Sequence, residues 1–237
     1  MQLDAGILAE FYRSQAGQIA HRAIAARLAR FWPDARNLRV LGFGFAPPYL
    51  EAYRAQAERV IAFMPAQAGV LAWPPERPLT LLGDEDALPF ADSFFDRILV
   101  VHGLEGAEST RAVLRQFRRV LAPEGRLLIV APNRASLWAQ VEISPFADGR
   151  PFNKGELDRI LRGAMFESLR WDRALYAPPF LTRQLSSTGA HWEKIGRRMW
   201  RGMGGVHLVE AKKSVFAATP LPVTSAEPKL ARLTGAA

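Results

Sequence analysis

Residues 38–50, Leu-Arg-Val-Leu-Gly-Phe-Gly-Phe-Ala-Pro-Pro-Tyr-Leu, constrain this chain more tightly than any other stretch. Val40 and Leu41 close a short apolar run of the kind that forms a buried strand, and Gly42 and Gly44 follow at once. Pro47 and Pro48 can then open a helix, whose first turn has no use for the N–H groups that proline lacks. Strand, glycine turn and helix in this order bring backbone close to a nucleotide-like ligand. Glycine removes the side chain at the point of contact, and a helix N-terminus offers donors with no partner of their own. The same turn also serves as a plain tight connection in an α/β sheet, so the rest of the chain decides between the two uses.

A chain of 237 residues makes one large domain, or one domain with appendages, because chains divide mainly beyond about 250 residues. With 49% hydrophobic residues it can bury an ordinary core, and no apolar run reaches the ~18 residues that cross a bilayer. Met1-Gln2-Leu3-Asp4 lacks the charged and apolar regions of a secretory signal, and there is no cysteine. The cytoplasm is the expected compartment, with attachment to the inner face of a membrane as a second option. A net charge of +8 permits an anionic partner such as nucleic acid, phospholipid or an acidic substrate, and bears on association rather than fold.

Residues 4–32 carry apolar side chains at helical spacing, Ile7, Leu8 and Phe11 in one set and Ile19, Ala23, Ile24 and Leu28 in another. Two helices are expected, the second capped by Ser14 and both finished before Pro33. Phe11, Tyr12 and His21 are the residues here best able to face a ligand, although ordinary core packing and a solvated histidine account for them more simply. Beyond the glycine turn the pattern predicts a helix over 49–57, a strand over 59–63, a proline-rich loop over 73–78 and a short strand over 79–82. A buried strand over 98–101 follows, with His102 at its carboxyl end, where open α/β sheets hold their ligands. A helix over 109–121 sets Val113, Leu114, Phe117 and Val120 against Arg111, Arg115, Arg118 and Arg119. A turn at Pro123-Glu124-Gly125 then leads into a strand over 126–131.

Gly42-Phe-Gly44, Gly83-Asp84 leading to Leu88-Pro89-Phe90, Ser93-Phe-Phe-Asp96, and Arg119-Val-Leu-Ala-Pro-Glu-Gly125 stand in a characteristic order and spacing. In these segments the chain resembles the class I S-adenosylmethionine-dependent methyltransferases, in their small-molecule and lipid-type branch. The resemblance is close over about residues 36–135 and looser to about 216. It implies a Rossmann-like seven-stranded sheet, mostly parallel with the last strand antiparallel, flanked by helices. The implied organisation is a helical segment over 1–35, the methyltransferase-like domain over 36–216 with an insertion at about 181–204, and a disordered tail over 217–237.

The resemblance also implies roles. Gly42, Phe43 and Gly44 would lie under the methionine part of S-adenosylmethionine, Met64 would stand at its ribose, and Asp84 with Glu85 would accept from the adenine amino group. Leu88 or Phe90 would cover the ring. Asp84 is equally explained as a turn cap. His102 would stand where the methyl group is presented, either as the group that orients or deprotonates the acceptor or as a pocket wall; Glu105 is a weaker candidate on the next turn. The chain departs from the family pattern at the acidic positions, Val40 before the first glycine and Met64 at the ribose, and Ala46 replaces a third glycine. A carboxylate on a ribose diol makes two hydrogen bonds, each contributing about 1.5–3 kcal/mol, and methionine makes none of that kind. Losing both carboxylates corresponds to about a thousandfold or more in affinity. Two functions follow: methyl transfer to a small-molecule or lipid-like acceptor, or a methyltransferase-like protein without cofactor that serves as a regulatory or scaffolding partner. Methyl transfer is an in-line displacement that depends mainly on positioning, so no fixed catalytic motif is required.

In the last third, 133–149 reads as a loop with Trp138 and Phe146, 154–162 as a helix, 166–171 as a strand and 206–211 as the final strand. Over 191–203, Trp192, Ile195, Met199, Trp200 and Met203 share one helical face, with Lys194, Arg197, Arg198 and Arg201 opposite. Such a helix suits either an anionic membrane surface or a protein partner, or else packing on its own domain. No Asn-Pro-Pro-Tyr type motif for flipped bases is present, which argues against nucleic acid as substrate.

Overall fold

The structure, a computed structural model, describes residues 4–141, 144–179, 196 and 202–214. Its centre is a seven-stranded sheet in the order β3-β2-β1-β4-β5-β7-β6. The strands are β1 (Arg39–Gly44), β2 (Arg59–Pro65), β3 (Thr80–Gly83), β4 (Phe95–Val101), β5 (Leu121–Pro132), β6 (Phe166–Ala174) and β7 (Val206–Lys213). The pairs among β1 to β5 are parallel, and β7 runs antiparallel to both β5 and β6. This is the Rossmann-like methyltransferase sheet expected from the sequence. The order reverses between β1 and β4, and the crevice at their carboxyl ends is where such sheets hold ligands.

The helices are α1 (Ala5–Arg13), α2 (Gln15–Phe31), α3 (Pro47–Arg54), α4 (Thr110–Val120) and α5 (Lys154–Gly163). Alternation along the strands creates two cores. Val40, Ala62, Leu99, Val101, Leu128 and Val130 face α2 and α3, while Leu41, Phe63, Ile98, Val100, Leu127 and Ile129 face α4 and α5. Ser14 ends α1 and caps α2, accepting from the Gly17 N–H at 3.1 Å. In α4, Val113, Leu114, Phe117 and Val120 are fully buried, and Phe117 meets Phe43 edge to face at 4.8 Å.

Arg119 explains why the sequence around Leu88 and the sequence around Arg119 have to match together. Its guanidinium donates to the Leu88 and Phe90 carbonyls, each at 2.7 Å, and to Asp92 at 2.8 Å. It thereby ties the loop after β3 to α4, and a fork of donors suits two carbonyls as a single ammonium does not.

Three expectations change. The helix after the glycine turn spans Pro47–Arg54 rather than 49–57, because the two prolines begin it themselves. The turn at Pro123–Gly125 lies inside β5, as a register shift between the Phe95–Leu121 and Arg97–Arg126 pairs. Strands β2, β4, β6 and β7 run longer than their apolar patterns. The 191–203 helix and the tail over 217–237 lie outside the described residues, Gly196 and residues 202–203 apart, as does most of the 181–204 insertion. Among the described residues, no helix is long and apolar enough to cross a membrane.

Replacing Phe117 with Ala empties a fully buried ring site in the second core and is expected to cost about 3–5 kcal/mol in denaturant unfolding. His207 on β7 gives a pH dependence: it is 2% exposed, and burial, with Arg173 adding repulsion, pushes its pKa down from 6.5 to about 4. The unfolded chain therefore binds the proton more readily, so stability is full above pH ~6.5 and falls as pH drops toward ~4, by about 3 kcal/mol in all. Thermal melts at pH 7 and pH 4 are expected to differ less for His207→Phe than for the wild type.

Candidate functional site

The site is assembled at the carboxyl ends of β1, β2, β3 and β4. Gly44 has φ 75°, and a Cβ there would run into the Val101 carbonyl oxygen; a Cβ on Gly42 would lie 2.5 Å from Leu50 Cδ1. Both glycines are thus required by the chain's own neighbours, one by β4 and one by α3. The Phe45 N–H completes this corner by donating to the Val101 carbonyl at 2.7 Å.

At the end of β2, Met64 is 1% exposed and packs in one cluster with Phe45 and with Ala5, Leu8 and Ala9 of α1. Its sulfur accepts from the Leu71 N–H at 3.3 Å. The position that would serve a ribose is therefore an apolar seam under α1. Val40 is fully buried in the first core.

Polar groups gather instead at the end of β3. A pocket of about 180 Å³ is bounded by Gln67, Asp84, Glu85, Asp86, Glu108 and Ser109, among others. Glu85 accepts from the Glu108 N–H at 2.8 Å, and the Gln67 amide donates to the Glu108 carboxylate at 2.7 Å. Asp84 is exposed at this mouth. The side chains of Phe43 and Leu88 lie elsewhere: both are buried in the second core with Phe63 and Phe95, so neither faces this pocket. Of the two residues expected to cover a bound ring, Leu88 is held in the core and Phe90 is half-buried. The reason is the Arg119 clamp, which holds the Leu88 backbone against α4.

At the end of β4, His102 takes a left-handed backbone, φ 47°. Its side chain is 2% exposed and lies between three partners. Nε2 is 2.9 Å from the Tyr12 hydroxyl, Nδ1 is 3.3 Å from Glu105 Oε1, and the Phe146 ring lies 4.8 Å away. The Tyr49 hydroxyl donates to that of Tyr12 at 3.0 Å, and the Tyr12 ring stacks on Phe45 at 5.6 Å. Burial raises the pKa of both phenols, so both keep their protons throughout the working pH range. Of the three ligand-facing candidates in the first helices, Tyr12 joins this cluster and Phe11 meets Phe146 edge to face at 6.0 Å. His21 turns to the Pro48 carbonyl at 2.9 Å. Sequence reading did not single out Tyr49, Phe45 or Gln67. Tyr49 and Phe45 flank the glycine turn, and their role depends on α1 lying across it.

The family profile for a methyltransferase domain matches residues 25–129. That match spans a little under half of the chain. Together with the sheet described above, it supports the resemblance to the class I S-adenosylmethionine-dependent methyltransferases. It is 36% identical over 70 residues to a ubiquinone/menaquinone biosynthesis C-methyltransferase of Bordetella avium, a match covering 30% of this chain and 26% of that protein. The chain thus spans about a quarter of the length of that curated relative. Among solved structures it is similar to a Thermotoga maritima S-adenosylmethionine-dependent methyltransferase described as a possible histamine N-methyltransferase. The TM-score is 0.62 at 18% identity, covering 87% of this chain and 94% of the other. It is similar also to the [4+2]-cyclase SpnF, with TM-score 0.60 at 20% identity, covering 84% and 83%. These two likenesses are likenesses of fold.

The donor set suits one end of adenosylmethionine and not the other. Asp84 and Glu85 offer carboxylate oxygens of the kind an adenine amino group needs. The positions that the resemblance would assign to the ribose hydroxyls and the methionine ammonium hold buried Met64 and Val40, neither of which offers a carboxylate. Met64→Asp, which restores the family's acid, would bury a charge in the α1 seam and is expected to lower unfolding stability by about 2 kcal/mol or more. A stability equal to wild type would mean that the side chain reaches open, polar space.

Proposed function

We propose that this protein is a methyltransferase for a small or lipid-like acceptor, held at the end of β4 beside the His102 cluster. The observation that carries this reading is the cluster itself: an imidazole held between a phenol and a carboxylate at the strand end, walled by Phe11, Phe45 and Phe146. Aromatic walls exclude water and favour an apolar acceptor. The Bordetella relative, named for quinone biosynthesis, supports the lipid-like part of the reading. Adenosylmethionine, when bound, supplies an electrophilic methyl group. The chain's own residues orient the acceptor and take its proton, while Asp84 and Glu85 accept from the adenine amino group.

A specific observation favours a second reading. Met64 and Phe45 are closed over by Ala5, Leu8 and Ala9, which suits a domain that keeps the fold and serves as a regulatory or scaffolding partner. Calorimetric titration with adenosylmethionine separates the two. Under the first reading it binds, and Asp84→Ala weakens binding about tenfold or more, as the loss of one hydrogen bond to a charged group implies. No heat and no thermal shift at millimolar cofactor would leave the scaffold reading.

A further inference from the structure

The groups at the end of β4 lie in a line that links three separate segments. Tyr49 of α3 donates to Tyr12 of α1 at 3.0 Å, Tyr12 lies 2.9 Å from His102 Nε2, and His102 Nδ1 lies 3.3 Å from Glu105 Oε1. The Glu105 side chain is 5% exposed, and neither of its oxygens has a hydrogen-bond partner among the described residues. The Nδ1 contact is close, though it does not meet hydrogen-bond geometry. The Glu105 backbone is already fixed, since its carbonyl accepts from the Arg150 N–H at 2.8 Å.

The direction of the protons follows from this inventory. A buried carboxylate without a donor carries a large desolvation cost, so the nitrogen facing Glu105 is the one that carries hydrogen. In a neutral imidazole Nε2 is then an acceptor, and Tyr12 is its donor. Tyr12 has one proton to give, so its oxygen receives from Tyr49. Every donor in the line points toward Glu105.

Hydroxyl, imidazole and carboxylate in this order form the arrangement by which enzymes draw a proton from a hydroxyl. We propose that Tyr12, His102 and Glu105 form a proton relay whose outer end is Tyr12, and that the acceptor is a molecule with a dissociable hydrogen, a phenol, enol or hydroxyl, that takes the place of Tyr49 on the Tyr12 oxygen. As the acceptor gives its proton to Tyr12, the O–H bond of Tyr12 breaks and that proton passes to His102 Nε2. The imidazolium so formed is balanced by Glu105. No phenolate accumulates, in keeping with the raised pKa of Tyr12. Tyr12 is half-buried, whereas the His102 side chain is 2% exposed, so Tyr12 is the more accessible end of the pair. The relay rests on the reading of the β4 end as the acceptor site.

The test is read on full-length protein labelled with nitrogen-15 in histidine and free of adenosylmethionine, with His102→Asn used to assign the signals. In wild type, His102 is expected to show a protonated Nδ1 and an unprotonated, hydrogen-bonded Nε2. Tyr12→Phe keeps the ring on Phe45 and is expected to shift the Nε2 resonance, whereas Tyr53→Phe leaves it in place. Phenol, added as the simplest hydroxyl-bearing probe, is expected to shift Nε2 in wild type and not in Tyr12→Phe. Should Tyr12→Phe fail to fold, Glu105→Gln serves instead, with loss of the Nδ1-protonated tautomer expected. A wild-type Nε2 that carries the proton, or one unmoved by both Tyr12→Phe and phenol, overturns the relay. Cofactor titration is read separately, so the relay and the methyltransferase reading can fail independently.

Discussion

Leu8 of α1 is buried against the same cluster as Met64 and Phe45, and this apolar seam closes the ends of β1 and β2 while bringing Tyr12 to the end of β4. Tyr12 stacks on Phe45 of that seam and packs against the first core as well, and these contacts hold it beside His102. An apolar residue at the end of β2 lets an apolar helix sit there, and the seated helix completes the polar cluster on the far side.

The fold itself leaves the reaction open. A methyltransferase and a [4+2]-cyclase are about equally similar to this chain in structure, with TM-scores of 0.62 and 0.60. What differs among proteins of one fold is the chemistry carried on its loops and strand ends. In this chain the sheet fixes where strands end, and the chemistry there is decided by residues from α1, α3 and the turn after β4. The polar pocket at β3 and the His102 cluster are separate in character: the first is acidic and open, the second enclosed and aromatic.

Much of the architecture was legible because local pattern and global fold agree in it. The run from Asp84 to Gly125 could be read in one piece since Arg119 binds the carbonyls of Leu88 and Phe90, so both ends of the segment answer to one contact. The glycines were legible as a turn, though not in their cause, because the atoms that demand them belong to Leu50 and to Val101. The burial of Leu88 was not legible for the same kind of reason: spacing along the chain says that it is apolar and near the site, and the clamp on its backbone holds it in the core.

By itself the sequence determined the order of strands and helices, the cap at Ser14, and the presence of a histidine at the end of β4, since these follow from periodicity, from short-range hydrogen bonding and from where an apolar run stops. Tertiary structure alone decided that Tyr12 and Glu105 meet His102 and that Tyr49 meets Tyr12. Tyr12 and His102 are 90 residues apart, and side chains so far apart meet only when a third element, here the packing of α1 on Phe45 and Met64, holds both in place.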